Sequence, residues 1–352
     1  MHDPNLKLDV AFNYGTFDFN TPGFYLKFLR GKLLYFVNAE RFDQMYHVYM
    51  RMNRSLKEQQ LNLTLKERQE VFKFLIINYK PENRYYLYDF FFDNCSSRIR
   101  DVFKNILGSR LEFEEYTNDN RSFRQLADEC VAMVPWEHFG MDLVFGLPAD
   151  QKVNSWNRMF LPEQMMLSFK HAIIKNDSVD VPFASPITTI YQEIPVREEK
   201  GFITPLQLFW TLWGLVLILT IFQLRQQKQY EWIDLILFTL SGILGLAILF
   251  MWFGTDHPVT KNNMNLFWAL PFNIFVPFIL IINKESNYLK WYLVFNVILN
   301  IAILICWKFI PQEFNIAVIP IILIFLTRSI TLLLLNYKRN ISIKPNFENH
   351  VD

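Results

Sequence analysis

The sequence predicts two structural classes in one chain: an α+β domain over residues 1–200 and a five-helix membrane domain over 201–340, followed by a tail at 341–352. Three observations predict this. Charged, aromatic and aliphatic residues are mixed up to about residue 200, as in a water-facing domain. From Pro205 onward come five apolar runs, roughly 205–224, 232–253, 266–283, 291–307 and 314–335, each about the length that spans a bilayer. In the first part, short strand and helix patterns succeed one another without strict alternation.

Leu8, Val10, Phe12 and Tyr14 alternate as a strand. Thr21 with Pro22 reads as the start of a helix that runs to about residue 30. A strand at 33–37, a helix at 39–52 and a strand at 59–63 are expected next, and Thr64 with Glu67 fits a capping box for a helix at 65–79. Aromatic residues from Tyr85 to Phe92 lead into a helix whose apolar face is Cys95, Ile99, Val102, Phe103, Ile106 and Leu107, with Gly108 as its stop. Further helices are expected at about 121–134, 137–146 and 162–175, and 176–204, with Pro182, Pro186 and Pro195, reads as an irregular connection. No internal repeat or low-complexity segment is visible.

Basic residues orient the membrane domain. With the first domain outside, Arg225, Lys228, Lys284, Lys290, Lys338, Arg339 and Lys344 fall on the cytoplasmic side, and Lys261 and Lys308 fall outside. The membrane is therefore expected to be crossed several times, with the first domain facing the periplasm or its equivalent and the C-terminus the cytoplasm. An exported domain needs a signal segment, and MHDPNLKLDV has no apolar core of that kind. The DPN turn before the first alternating stretch also lacks a strand in front of it, so Met1 is expected to be an internal methionine with a signal segment and at least one strand upstream.

A formal net charge of +1 suggests no nucleic-acid partner. Three cysteines, at 95, 130 and 306, build no disulfide framework, although a bridge between Cys95 and Cys130 is an alternative to a free thiol. No HExxH, CxxC pair or other metal pattern appears, nor a phosphate-cradling glycine loop or GxSxG, so no metal and no cofactor is expected.

The chemistry concentrates at DFFFDNCSSRIRDVF, residues 89–103. Either Asp93 or Asn94 can cap the helix that follows, which sets unpaired N–H groups and the positive helix end near the Cys95 sulfur. A thiol loses its proton most readily in that setting, and a buried structural cysteine is the competing reading. A thiolate nucleophile needs a base, and none of the six histidines, His2, His47, His138, His171, His257 and His350, has an obvious claim. His47 and His171 read as exposed helix residues, His138 as part of an amphipathic helix, and His2 as a turn residue.

The blocks YGTFDF (14–19), FYLKFLRGKL (24–33), NRSLKEQQLNLT (53–64), YLYDFFFDNCSSRIRD (86–101), FGMDLVFGLPAD (139–150), MFLP (159–162) and TDHPVTKNNMNLFWALPFN (255–273) occur in this order in the Lnb-type lipoprotein N-acyltransferases, and the resemblance covers nearly the whole chain. It implies a circularly permuted papain-like, NlpC-type fold for the first domain, in which a histidine on an early strand meets a cysteine at a helix start. Cys95 matches the family's NC[ST] cysteine. The family's Gly-His pair would fall upstream of Met1, just before the turn that here reads HDPN.

What the resemblance implies is transfer of a fatty acyl chain from a phospholipid donor, through an acyl-cysteine, to the N-terminal amine of a diacylated lipoprotein acceptor at the membrane. Cys95 and Asn94 are the expected catalytic residues, with Asn94 as cap or as orienting group. Tyr14 and Asp18 are candidates for the third, orienting group of the nucleophile and its base. Arg98 is a candidate for neutralising a phospholipid phosphate, against simple pairing with Asp101. Asp256, His257, Asn262 and Asn265 form a polar loop expected at the periplasmic face, as headgroup contacts or as an ordinary loop. Arg328 should face a partner, a cavity or a headgroup, and Asn273, Asn296 and Asn300 should join helices. The rival readings are a cell-wall cysteine peptidase or amidase of the NlpC type, and a non-catalytic membrane scaffold.

Overall fold

A computed structural model of the chain describes residues 1–343, except positions 4, 6, 116, 118, 178, 196–202 and 229. The expected tail beyond 343, with Lys344 and His350, lies outside the described residues. Contacts within the chain form two compact units, the first taking in 1–123, 151–199 and 255–259, the second 124–150, 200–254 and 260 onward. The segment 124–150 thus clusters with the helical unit and the short loop 255–259 with the α+β unit.

The first unit opens with β1 (His2–Asp3) and β2 (Leu8–Thr16), paired antiparallel with His2 opposite Asp9. A strand thus lies ahead of Leu8, and His2 is a strand residue rather than the turn residue expected. Helix α1 (Phe24–Leu29) starts later than Thr21 and Pro22 suggest. Asp18 takes the Asn20 and Thr21 N–H groups into a turn first, and Gly23, with φ of 69°, precedes the helix. Strand β3 (Leu34–Arg41) runs past residue 37 because Val10 to Asn13 of β2 pair with residues 38–41, so α2 (Phe42–Arg51) is shorter than expected.

The strand expected at 59–63 is instead β4 (Leu56–Glu58), and Leu61 adds only an isolated bridge. Helix α3 (Leu65–Tyr79) has the Thr64–Glu67 capping box. After β5 (Tyr85–Leu87) come α4 (Cys95–Leu107), β6 (Leu111–Glu112), α5 (Phe123–Val131), α6 (Pro135–Val144), α7 (Ser155–Arg158), α8 (Pro162–His171), β7 (Ile173–Ile174), β8 (Val181–Pro182) and β9 (Thr188–Tyr191). The connection at 176–204 thus contributes two short strands, since β9 pairs with β4 and β8 with β7.

The main sheet has the order β1-β2-β3-β5, all antiparallel. Helix α4 lays Val102, Leu107 and the partly buried Ile99, Phe103 and Ile106 into the core with Tyr14, Tyr35, Val37, Met159 and Phe183. The first residue of α4 is thereby held against the sheet end where β2 is irregular.

In the second unit, α9 (Pro205–Gln226), α10 (Glu231–Phe253), α12 (Asn287–Ile305) and α13 (Val318–Ile343) are long and apolar enough to cross a membrane. The third expected span is not one straight helix. Short helical segments over Pro258–Phe267 and Pro271–Ile282, the latter ending in α11 (Val276–Ile282), form a pair bent by 56°, with Pro271 and Pro277 placed where continuous helical bonding would need N–H groups. This broken segment lies against a small-residue face of α10: a Cβ on Gly242 or Gly245 would run into the backbone of Ile274 or Ala269.

Two of the three asparagines join helices as expected, whereas Asn300 donates to Asn296 within α12 itself. Asn273 donates to Ser241 and accepts from the Tyr292 hydroxyl, and Asn296 accepts from Ser329 and Asn300. Arg328 does face a partner, Asp234 of α10, by two bonds of 2.7 Å.

Candidate active site

The turn before α4 is built from its own backbone and acids. Asp89 and Asp93 exchange backbone hydrogen bonds, and the Asp89 carboxylate accepts from the Phe91 and Phe92 N–H groups at 2.9 Å each. Phe91 is buried against Phe123 and Phe160, with ring centroids 4.5 and 5.3 Å away, so the turn is pinned to the core.

Asn94, not Asp93, caps α4. Its Oδ1 accepts from Ser96 N and Ser97 N at 2.9 Å, its Nδ2 donates to the Phe90 and Phe160 carbonyls, and its own N–H donates to Ser97 Oγ. The amide of this buried side chain is thus committed to holding the helix start. Of the N–H groups in the first turn, that of Cys95 is left without an acceptor among the described residues. It is a backbone donor at a positive helix end, next to the sulfur.

Cys95, Cys130 and Cys306 are all free thiols, which removes the Cys95–Cys130 bridge. Cys95 is half-buried, and it touches two groups that the sequence did not single out. Gly15 of β2, with φ of 89°, lies at the register irregularity between Asn13 and Thr16, where a Cβ would come within 3.2 Å of the Cys95 Cβ. Tyr88 hydrogen-bonds to the Cys95 side chain, and burial first, then the charge of that cysteine, pushes its hydroxyl well above the usual tyrosine range. Burial does the same to Tyr35, whose ring centroid is 4.5 Å from that of Tyr88, and to Tyr86. These hydroxyls stay protonated across the physiological range and can act as hydrogen-bond donors toward negative charge.

Arg98 forks onto Asp93 with two 2.6 Å bonds and stacks over the Tyr86 ring at 3.6 Å, while Asp101 pairs with Arg100 instead. Tyr14 donates to Asn78 Oδ1 at 2.6 Å, and burial pushes its hydroxyl up to about 12. Tyr14, Asn78, Asp93, Arg98, Asp101 and Asn105 are among the residues lining a polar cavity of about 420 Å³ along α4. Asp18 stands apart in the exposed turn before α1.

The polar loop expected at 256–265 divides between the two units. Asp256 and His257 pack on α1, through Asp256 N to Arg30 O at 2.9 Å and His257 Nε2 at 3.0 Å from Phe28 O. Asn262 takes a left-handed backbone, φ 51°, and its carbonyl accepts from Leu147 N. Asn265 is not a headgroup contact: it is buried, with its amide nitrogen donating to the Asp142 carbonyl and its oxygen accepting from Trp268 Nε1.

The other described histidines are placed as follows. His2 Nδ1 is 3.5 Å from Asp9, His47 lies edge-on to Tyr46 in α2, and His171 ends α8. His138 Nε2 stands between Asp128 and Asp142, at 3.4 and 3.2 Å. That cluster has metal-ligand chemistry that no sequence motif foretold, because its members sit ten and four residues apart on two helices. Asp142 is already bonded to Arg124 at 2.8 Å and to Asn315 at 2.9 Å, and Arg124 also forks onto Asp150, so a guanidinium supplies the positive charge there. Burial, and next the Asp142 charge, pushes the Asp128 carboxyl up to about 7.

The contact at Gly15 gives a first expected result. Gly15→Ala forces a side chain into a left-handed position, at about 1–2 kcal/mol, and presses on the Cys95 Cβ. If Cys95 is a nucleophile, its reaction with substrate should fall roughly tenfold or more while the thiol stays titratable, because small misplacements of a reacting group are costly. An unchanged reaction would show that the contact does not position the thiol.

Compared with known proteins, the chain matches the Lnb N-terminal periplasmic domain over residues 2–128 and the Lnb transmembrane domain over residues 197–340. No curated protein and no solved structure matches it.

Proposed function

The chain belongs to the Lnb family, and from that premise we propose that it moves a fatty acyl chain from a phospholipid to the N-terminal amine of a diacylglyceryl-cysteine lipoprotein, with Cys95 as nucleophile. It is a multi-pass membrane protein with a periplasmic N-terminal domain, involved in lipoprotein processing. The proposal adds the inner membrane, a cytoplasmic C-terminus, the permuted papain-like topology and the reaction itself.

The observation that carries the reading is the position of Cys95: first residue of a capped helix, its own N–H unpaired, with a protonated Tyr88 at its side chain. In the first half-reaction the thiolate Sγ attacks the phospholipid ester carbonyl. The ester C–O bond breaks, and lysophospholipid leaves with a proton on its oxygen. A thioester remains, which a neutral amine attacks more readily than an oxygen ester. In the second half the lipoprotein amine attacks that carbonyl, its proton passes to a base, and the C–S bond breaks to return the thiolate. Both halves pass through an oxyanion. The Cys95 N–H and the Tyr88 hydroxyl are the donors at hand, each worth about 3 kcal/mol where such donors have been removed from enzymes. Asn94 is the positioning residue and Arg98, already neutralised by Asp93, shapes the cavity.

The test is the full-length protein in vesicles containing a phospholipid labelled in its acyl chain, with a diacylated lipopeptide added. The expected product is labelled amide on the lipopeptide amine. Muropeptide cleavage with no transfer of label would replace the proposal with the cell-wall peptidase reading.

A further inference from the structure

We infer that α1, with Phe19, is an interfacial anchor that lies in the outer face of the bilayer, and that the aromatic wall behind it carries a phospholipid acyl chain to Cys95. The second half deepens the proposed reaction and rests on it. The first half stands without it.

Helix α1 has no buried residue. Tyr25 is 82% exposed, Leu26 59% and Phe28 52%, with Phe19 beside them at 70%. A contiguous apolar surface of this kind on a water-facing domain marks a contact with something apolar. The same stretch, FYLKFLRGK, carries Lys27, Arg30 and Lys32 and no acid, so its basic residues suit a surface of lipid phosphates. Aromatic rings flanked by basic residues are the composition of a membrane interface.

The occupant is fixed by what holds α1. Asp256 N donates to Arg30 O, His257 Nε2 meets Phe28 O, and Lys32 Nζ is 3.7 Å from Asp256. Asp256 follows the end of α10, a membrane-spanning helix, by three residues, which is at most about 10 Å of extended chain. The chain itself therefore limits how far this segment can stand from the membrane surface. A soluble protein partner would have no such constraint.

From α1 an unbroken series of rings leads inward. The Phe24 and Phe17 centroids are 5.7 Å apart, Phe17 and Tyr35 5.3 Å, Tyr35 and Tyr88 4.5 Å, and Tyr88 hydrogen-bonds to Cys95. Phe24, Phe17 and Tyr88 are only partly buried and offer an acyl chain apolar contact, with the buried Tyr35 packed behind them, while the cavity along α4 is polar and unsuited to one.

The experiment places benzoylphenylalanine at Tyr25, at Leu29 and, as a control, at the exposed Glu70 of α3, in the full-length protein in vesicles of phosphatidylethanolamine and phosphatidylglycerol. After irradiation, phospholipid adducts should be found at positions 25 and 29 and not at 70. Crosslinks only to a second copy or to an added lipopeptide, or equal adducts at all three positions, would overturn the anchor. For the delivery role, Tyr25→Glu with Leu29→Glu should slow acylation of Cys95 by vesicle phospholipid about tenfold or more, a loss of at least 1.4 kcal/mol. Acylation by a water-soluble short-chain thioester should stay unchanged. Equal losses with both donors would overturn delivery. If the wild-type protein acylates with neither donor while the lipid crosslinks form, the reaction proposed above fails and the anchor stands.

Discussion

Cys95→Ala should abolish transfer of label to the lipopeptide, a fall of about 10⁴-fold or more, because in the proposed covalent mechanism loss of the nucleophile removes the whole pathway. The protein should remain folded and in the membrane. Cys95 is the first residue of α4, where the helix is held by Asn94 and Ser97, and its side chain is only half-buried. Cys95→Ser should be nearly as inactive, since a serine ester is a poorer acyl donor to an amine than a thioester. Comparable melting curves for wild type and variants in detergent separate loss of chemistry from loss of fold. Transfer by Cys95→Ala at a tenth of the wild-type rate or better would mean another residue carries the acyl group.

Arg328→Ala is the substitution with the largest expected effect on stability. Arg328 is fully buried, and besides its fork onto Asp234 it donates to Thr220 Oγ1 at 2.7 Å and Gln223 Oε1 at 2.9 Å, so one guanidinium joins α9, α10 and α13. Removing it leaves the Asp234 carboxylate unpaired in an apolar surrounding, at about 3–5 kcal/mol. The variant should be recovered from membranes at a small fraction of the wild-type level and melt well below it. Replacing both partners, Arg328→Met with Asp234→Leu, should restore much of the loss, because the cost lies in the orphaned charge. A single variant as stable as wild type would show that the pair is not a structural lock.

The helix start at Cys95, the proposed nucleophile, was legible because its signals are local. A cap, an apolar three-and-four spacing from Cys95 to Leu107 and a terminal glycine lie within fifteen residues, as do the Thr64 and Glu67 of the α3 capping box. The groups that touch Cys95 were not legible, because sheet pairing brings them there. Gly15 reaches it through the β2–β3 irregularity, and Tyr88 through the end of β5. Pairing also moved the boundaries of β3, α2 and β4, whose partners lie as far away as β9. Hydropathy sees the run at 266–283 as one span and misses its break, since averaging over so apolar a stretch does not register two prolines, at 271 and 277. The exposure of α1 was equally hidden, because the same residues would suit a core helix.

The most direct measurement of the central claim is mass spectrometry of the full-length protein after incubation with acyl-labelled phospholipid and no acceptor. The account predicts the label on the peptide containing Cys95, released by hydroxylamine at neutral pH and discharged onto a diacylated lipopeptide when that is added. Label on another residue, or acyl transfer without any Cys95 adduct under these conditions, would contradict it.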